Sequence, residues 1–179
     1  MAQRLEAVFH LTSPELQIAD VPKGERDKLL PILEESFEGM YLWHARRTLQ
    51  SIDVVRVARN AEGEDAGLLM LKMVAEGAGY VYYVAVPPRF RKRGIGGRLL
   101  DDAVSYFEQR GVPHVYASVE EDNIESKTLF SSRGFERVQS SEMAHRYGRI
   151  RSIIMYREMM VVRGELLLGK RLDSGAKGS

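Results

Sequence analysis

The chain has 179 residues, 44% hydrophobic and 28% charged, and a formal net charge of +1 at pH 7. This length and composition are typical of one globular domain, and the near-neutral charge excludes a protein whose whole surface binds a polyanion. With no cysteine, the chain has neither a disulfide framework nor a thiol nucleophile. Its N-terminus lacks the apolar segment of a signal peptide, and no apolar run approaches membrane-spanning length. We therefore expect a cytoplasmic protein without membrane association.

Apolar stretches and helical spacings alternate through the first half of the chain. The predicted elements, in chain order, are a strand over 16–21, helices over 23–39 and 40–50, and strands over 54–58 and 68–74. Pro31 must lie in the first turn of the first helix or kink it, and Gly39 is suited to end that helix. The two later strands flank a turn-like segment, so they should pair as a hairpin.

The second half begins with a run that is apolar and aromatic on both alternating faces, which is typical of a central strand covered on both sides. The elements predicted from there are a strand over 80–86, a helix from 95 to near Gly111, a strand over 115–119, a helix over 123–133, a weak strand from Val138, a strong strand over 150–162 and a polar tail. Hairpins precede helical crossovers, which indicates a mixed α/β sheet. We expect one domain over residues 1–179, with its core over 16–159 and a C-terminal extension over 160–179.

The segment AVPPRFRKRGIGGRLL, residues 85–100, places five basic residues and three glycines between a strand and a helix. Pro87 and Pro88 have no N–H group, so the strand must separate from its neighbour there. Glycines let the backbone approach a ligand closely, and the N–H groups of a first helical turn have no partner within the helix. Together with the basic side chains and the helix dipole they form a site for an anion, and diphosphate is the natural occupant.

Other interpretations of this segment can be weighed from its spacing. The dinucleotide-binding pattern G-x-G-x-x-G fails because the sixth position from Gly94 is Leu99. A Walker loop fails because no Gly-Lys-Ser/Thr follows. A solvated basic loop, in which the glycines serve only the turn, stays open from the segment alone.

Two motifs together resemble the GNAT superfamily of acyl-CoA-dependent N-acyltransferases. The family's loop is R/Q-x-x-G-x-G/A, and residues 91–96, RKRGIG, match it. The second motif is NIESKTLFSSRGF, residues 123–135. Where the family has an Asn, a small residue, an aromatic residue and a Gly-Phe pair, it carries Asn123, Ser126, Phe130, Gly134 and Phe135. The resemblance covers about residues 16–159.

The resemblance implies a mixed, mostly antiparallel central sheet, flanked by helices and splayed between its central strands, with acetyl-CoA in the gap. The diphosphate would lie on the loop, and the pantetheine would run along the free strand edge like an added strand. The implied cofactor-binding residues are Val84, Ala85, Val86, Arg91, Lys92, Arg93, Gly94, Ile95, Gly96, Gly97, Arg98, Asn123, Ser126 and Phe130. The sequence has no metal-ligand spacing, and the implied chemistry needs no metal.

The implied chemistry is a direct attack of an amine on the thioester, without a covalent enzyme intermediate. Phe130 stands where much of the family carries a tyrosine acid, so the proton donor for the thiolate is open between water and another tyrosine. For deprotonation of the amine we predict a water relay held by Tyr80 and Glu120. Their structural alternatives are sheet packing for Tyr80 and a solvated strand end for Glu120.

The family implies an acceptor site formed by the segment between the first two helices, here 37–44, and by the loop between the last two strands, here 140–149. The residues predicted there to bind substrate are Glu35, Phe37, Tyr41, Tyr82 and Tyr147. His44 is interpreted either as a surface residue or as a base. The acceptor amine can belong to a small molecule or to a protein or peptide. A protein N-terminal amine is favoured slightly, because the loop and Tyr80 most resemble the N-terminal acetyltransferase branch. We expect a monomer or a homodimer.

Two non-enzymatic interpretations stand beside the acetyltransferase. A CoA-binding sensor without catalysis stays open because Phe130 lacks the hydroxyl of the family's acid. A nucleic-acid binder using residues 89–98 is disfavoured by the near-neutral net charge and the lack of a second basic face. We therefore expect an amine acceptor and no nucleic-acid partner.

Overall fold

A seven-stranded mixed sheet forms the centre of the computed structural model, which describes residues 16–172. The strands are β1 Gln17–Asp20, β2 Val54–Arg59, β3 Asp65–Val74, β4 Ala78–Ala85, β5 His114–Glu120, β6 Glu136–Arg137 and β7 Glu165–Arg171. The α-helices are α1 Leu30–Ser36, α2 Gly39–Ser51, α3 Ile95–Glu108, α4 Ile124–Ser131, α5 Ser140–Tyr147 and α6 Arg149–Met159. Short 3-10 helices lie at Lys23–Leu29, Ala75–Gly77 and Pro88–Phe90.

The strands are arranged in the order β1-β2-β3-β4-β5-β7-β6. Neighbouring strands are antiparallel, except that β4 and β5 are parallel. A parallel pair needs a crossover, which α3 supplies between these two strands. The mixed, mostly antiparallel sheet flanked by helices is the fold that the sequence predicts.

Helices cover both faces of this sheet. On one face α3 buries an apolar stripe that includes Leu99, Leu100 and Phe107, and α4 adds Phe130 to the same core. The other face holds α1 and α2 over β2–β4, and α5 and α6 over β4, β5 and β7. We call these the α3/α4 face and the α1/α2 face. The central strands are thus buried on both sides, as their continuous apolar sequence predicts.

The two central strands part after a short stretch of pairing. β4 and β5 share the residue pairs Gly79↔Val115, Tyr80↔Tyr116 and Val81↔Ala117, and none beyond them. Past that point β4 stays paired with β3 as far as Ala85, and β5 stays paired with β7 as far as Glu120. β4 therefore remains paired in one half of the sheet and β5 in the other, and a gap opens between the two halves. A splay between the central strands is predicted from the sequence, but it begins after Val81 and not at Pro87 and Pro88, where the sequence predicts it.

An extra residue in β4 marks the place where the splay begins. Leu71 of β3 pairs with Val81, but the next residue back, Met70, pairs with Tyr83. Tyr82 is therefore a bulge residue, and bulges bend and twist the strand that carries them. Both Tyr82 and Tyr83 consequently contribute to the core on the α1/α2 face.

The sequence prediction was wrong over residues 140–162. Residues 150–162, expected to be a strong strand, lie largely in α6, and α5 occupies the segment expected to be a loop. The buried residues of α6 are Ser152, Met155 and Met159, whose spacing of three and four is helical. The last strand is β7, which lies inside the predicted C-terminal extension and pairs with β5 over its whole length. The core therefore continues to Leu172, and the tail from residue 173 lies outside the described residues.

Two smaller expectations also need adjustment. The helix predicted over 23–39 is a 3-10 helix followed by α1, with Pro31 in the first turn of α1. Gly39 does not end it; this glycine begins α2 with φ +54°. The weak strand expected from Val138 is the two-residue β6, just before Val138, whose N–H donates to the Leu167 carbonyl at 2.9 Å. None of the helices between residues 16 and 172 is long and apolar enough to cross a membrane.

Candidate active site

The glycine-rich loop turns sharply into α3. Lys92 and Gly94 have φ of +59° and +78°, which places both in the left-handed region. Phe90 is buried beneath the loop, while residues 91–94 are exposed. The Arg91 Nε donates to the Val86 carbonyl at 3.0 Å, and so ties the loop to the end of β4. The basic side chains and the first N–H groups of α3 thus stand together at the open end of the gap.

The two glycines at the start of α3 have different surroundings. A Cβ on Gly96 would lie 3.4 Å from Leu129, which is an ordinary contact. A Cβ on Gly97 would lie 1.9 Å from Arg133 Nη2, so no larger residue fits there without moving that side chain. The Arg133 Nε donates to the Gly97 carbonyl at 2.9 Å and pairs with Asp101 at 2.9 Å. A side chain at position 97 would therefore have to displace the Arg133 guanidinium and its bonds to the Gly97 carbonyl and to Asp101. Binding of the cofactor by its backbone stays a prediction.

Three more of the predicted cofactor residues, Val84, Ala85 and Val86, lie at the end of β4 and directly after it. Val84 and Val86 pack against the core of the α3/α4 face, and Ala85 is buried on the other face. Past Val81 no described strand pairs with β4 on the side of the gap. That edge keeps free backbone groups, which a pantetheine amide can pair with as an added strand would.

The second motif forms the start of α4. The Asn123 side chain accepts a hydrogen bond from the Ser126 N–H at 2.9 Å and so caps the helix. Phe130 is 5% exposed and packs edge-on against Phe135, with ring centroids 5.1 Å apart. The Phe130 ring therefore belongs to the core, and its contact with a cofactor stays a prediction.

A hydrogen bond spans the point where the central strands part. The Tyr80 hydroxyl lies 2.8 Å from Ser118 Oγ, and Ser118 follows the last β5 residue that pairs with β4. The Tyr80 side chain is 2% exposed, and burial raises its pKa above the ordinary value for a tyrosine. Tyr80 is therefore a neutral phenol near pH 7. It can orient a proton acceptor but cannot itself take a proton from an amine.

Glu120 lies at the edge of an open pocket of about 450 Å³ on the same side of the sheet. Its lining residues are Tyr41, Glu120, Glu121, Asp122, Arg163, Gly164 and Glu165. The Tyr41 hydroxyl donates to Glu165 Oε1 at 3.1 Å. Burial and the charges of Glu165 and Glu120 raise the pKa of Tyr41, so this phenol also stays neutral. The structure thus brings together two predicted residues, Tyr41 and Glu120, and adds Glu165.

Glu165 is the residue that the sequence reasoning missed. It is the first residue of β7, directly opposite Glu120 on β5. The segment 150–162 was predicted to be the last strand, so Glu165 was assigned to the C-terminal extension over 160–179. The available signal was Gly164, a turn residue, followed by the apolar run Leu166–Leu168.

Aromatic side chains form the floor between α2 and β4. The Tyr82 ring stacks on His44 with centroids 5.9 Å apart, and Phe37 packs on Tyr83 at 5.2 Å. The His44 Nδ1 lies 3.0 Å from the Tyr83 hydroxyl. Burial, with a smaller effect of the Arg47 charge, lowers the pKa of His44, which is therefore neutral near pH 7. His44 is a half-buried part of this floor rather than a surface residue.

Of the five predicted substrate residues, only Tyr41 lines the pocket beside Glu120. Glu35 forms an ion pair with Arg89, just before the glycine-rich loop. The Tyr147 hydroxyl lies 2.9 Å from that of Tyr116, in the part of the sheet where β4 and β5 are still paired. Phe37 and Tyr82 belong to the aromatic floor between α2 and β4, and the binding of an acceptor by any of these residues stays a prediction.

The chain belongs to the GNAT acetyltransferase family. The family model described as "Acetyltransferase (GNAT) family" matches residues 13–135, which include both motifs and the whole splay. No curated protein matches the sequence.

Similar solved structures include GNAT enzymes with bound cofactor. An acetyltransferase from Bacillus subtilis, solved in complex with CoA, is 17% identical with a TM-score of 0.66, covering 89% of this chain and 100% of that one. A GNAT acetyltransferase from Elizabethkingia anophelis, solved with acetyl-CoA bound, is 15% identical with a TM-score of 0.63, covering 88% and 98%. The ribosomal-protein-S18-alanine N-acetyltransferase from Escherichia coli is 15% identical with a TM-score of 0.64, covering 92% and 99%. At these identities the likeness shows the shared fold, and the first two of these structures hold CoA or acetyl-CoA.

Proposed function

We propose that this protein is an acetyl-CoA-dependent N-acetyltransferase that acts on a primary amine by direct attack within a ternary complex. The separation of β4 from β5 after Val81 carries this proposal. It leaves a strand edge without a described partner, and that edge leads to the loop at the N-terminus of α3. An elongated ligand with an amide-containing arm and a diphosphate fits these two features together.

The residues of the chain supply binding and proton handling. Acetyl-CoA, when bound, supplies an acetyl group activated as a thioester. The N–H groups of the first turn of α3 and the charges of Arg91, Lys92 and Arg93 favour the diphosphate. The exposed Glu120 accepts a proton from the amine through a water molecule. The Tyr80 hydroxyl, at the point where β4 and β5 part, orients that water.

The thiolate leaves without help from the second motif. Phe130 has no proton to donate, and its ring is buried against Phe135. A thiol has a pKa of about 8.5, so its anion is a tolerable leaving group near neutral pH. Water in the open gap can then protonate the thiolate, and a missing acid need not abolish turnover.

We further propose a protein N-terminal amine as the acceptor. This proposal is supported by the resemblance of the loop and Tyr80 to the N-terminal acetyltransferase branch. It is also supported by the likeness in fold to the S18-alanine N-acetyltransferase from Escherichia coli. The pocket beside Glu120 is open, so the rest of a polypeptide can extend away from it.

Thiol release from acetyl-CoA tests the proposal. The purified protein is mixed with acetyl-CoA and a panel of peptides with free or blocked N-termini, lysine peptides and small amines. We expect release that depends on a free amine, with the acetylated product confirmed by mass spectrometry. Binding of acetyl-CoA by calorimetry without release on any acceptor would instead identify a CoA-binding sensor.

A further inference from the structure

Two carboxylates face each other in the pocket beside the gap. Glu120 on β5 and Glu165 on β7 are direct register partners in the antiparallel pair. Like charges in this position destabilise a sheet. Among residues 16–172, no ion pair neutralises either carboxylate. The repulsion is relieved when a cation enters the pocket.

The two carboxylates differ in how firmly they are held. Both oxygens of Glu165 accept hydrogen bonds, Oε1 from the Tyr41 hydroxyl at 3.1 Å and Oε2 from the Val162 N–H at 3.2 Å. The donors come from α2 and from the turn before β7, so Glu165 is fixed from two elements. Glu120 ends its strand and is exposed. Glu165 is thus the more firmly held carboxylate, whereas Glu120 is exposed at the end of its strand, near the same Tyr41 hydroxyl.

A single amine between both carboxylates would react poorly. An opposite charge close to an ammonium group favours its protonated form and raises its pKa. Nucleophilic attack needs the free base, so two carboxylates on one nitrogen work against the reaction. The reaction is favoured instead if Glu120 contacts the reacting amine and the fixed Glu165 binds a different positive group.

The pocket as a whole favours such an acceptor. Four carboxylates line it against the single guanidinium of Arg163. A cavity of one predominant charge attracts ligands of the opposite charge and raises their local concentration. No apolar side chain other than the Tyr41 ring lines the pocket. Its chemistry therefore suits a second cationic group better than an apolar substituent.

We propose that Glu165, positioned by Tyr41, determines acceptor specificity by binding a positive group of the acceptor next to the reacting amine. This inference rests on the transferase function proposed above. The enzyme then prefers acceptors with two cationic groups to acceptors with one. For a peptide, the second charge is a basic side chain close to the N-terminus.

A matched pair of small acceptors tests this preference. The values of kcat/KM are measured for 1,4-diaminobutane and for butylamine, with the wild type, Glu165→Gln and the control Glu108→Gln. Glu108 is an exposed carboxylate at the end of α3, outside the pocket. We expect the wild type and the control to prefer the diamine by about tenfold or more, the size of a charge-assisted hydrogen bond. In Glu165→Gln the preference should disappear through a higher KM for the diamine, with little change in kcat.

The inference is overturned if the wild type does not prefer the diamine, or if Glu165→Gln keeps the preference. A protein that acetylates neither amine fails the proposed function instead. In that case the binding of 1,4-diaminobutane is measured by calorimetry. Saturable binding that Glu165→Gln removes supports the cation site without transferase activity, and the absence of binding overturns it. Far-UV circular dichroism establishes that the variants are folded.

Discussion

The Tyr80 hydroxyl lies 2.8 Å from the Ser118 hydroxyl, and this hydrogen bond joins β4 to the first residue of β5 that has left their shared ladder. Both side chains are on the sheet face that carries the Glu120 pocket. The bond therefore fixes a polar group at the narrow end of the gap. A water molecule held there would be within reach of groups from both halves of the sheet.

Removal of the Tyr80 hydroxyl tests this position. Tyr80→Phe should lower kcat/KM, and Glu120→Gln should lower it more steeply, because the carboxylate accepts the proton while the phenol only orients the water. Neither change should alter the affinity for acetyl-CoA by calorimetry. Tyr80→Phe should also cost about 1 kcal/mol of the free energy of unfolding, because Ser118 loses its buried partner. Wild-type kcat/KM in both variants across pH 6 to 9, with a verified acceptor, would remove both residues from the relay.

Gly96→Glu should abolish acetyl-CoA binding. The substitution adds a side chain and a negative charge at the start of α3, where the diphosphate is expected, and the helix dipole then attracts the new carboxylate instead. The fold should survive, since the nearest atom to a Cβ at this position belongs to Leu129 and is 3.4 Å away. Gly96→Ala is the matched control and should retain binding. Calorimetry that finds unchanged affinity in folded Gly96→Glu would contradict the placement of the cofactor.

Phe130→Tyr should raise kcat and change KM little, provided that the new hydroxyl reaches the departing sulfur. Proton transfer contributes about 10²–10⁴-fold in enzymes, so a gain of about tenfold is expected from a donor restored at one position. Steady-state thiol release measures it. If the variant shows no gain and a lower melting temperature, the ring tip lies inside the core beside Phe135, and water is the donor.

Acid should destabilise the protein through His44. Burial lowers the pKa of His44 in the folded state, so below the ordinary value of about 6.5 the unfolded chain binds more protons than the folded one. The free energy of unfolding should therefore be constant above that pH and fall as the pH decreases below it. Urea titrations at pH 7.5 and 5.5 measure the loss, which His44→Gln should reduce. His114, whose pKa burial also lowers, adds to the same trend, and His114→Gln should reduce it independently. A loss of the same size in both variants would assign the effect to other groups.

Local signals in the sequence predicted the loop before α3 and a splay between the central strands. Pro87 and Pro88 follow the end of β4, and glycines with basic residues open α3, so both features could be predicted from residues close together in the chain. The strands part at the Tyr82 bulge, however, and not at the prolines. The role of Gly97 could not be predicted in this way. A Cβ at Gly97 would meet the guanidinium of Arg133, a residue 36 positions away that only the tertiary structure brings into contact.

The pocket around Glu165 was harder to predict because the apolar residues of α6 have no clear helical spacing. Ile150, Ile153 and Ile154 are exposed, while Met155 and Met159 are buried, so apolar residues lie on both sides of the helix. Because apolar residues occupy many positions of the segment 150–162, its isoleucines and valines, which are β-branched, favoured the prediction of a strand. The true last strand, β7, was consequently assigned to an extension, and Glu165 with it.

The short contact between β4 and β5 also has a consequence for amide hydrogen exchange. Alternate N–H groups of β4 point toward β3 and stay in a ladder, whereas those beyond Val81 that point toward the gap have no described strand to pair with. Water can reach the N–H groups that point toward the gap, so these amides exchange their hydrogens without any opening of the sheet. The N–H groups that point toward β3 exchange only when β4 separates from β3. An alternation of fast and slow sites along one buried strand would thus be the solution signature of the gap, and a molecule that completes the ladder there would erase it.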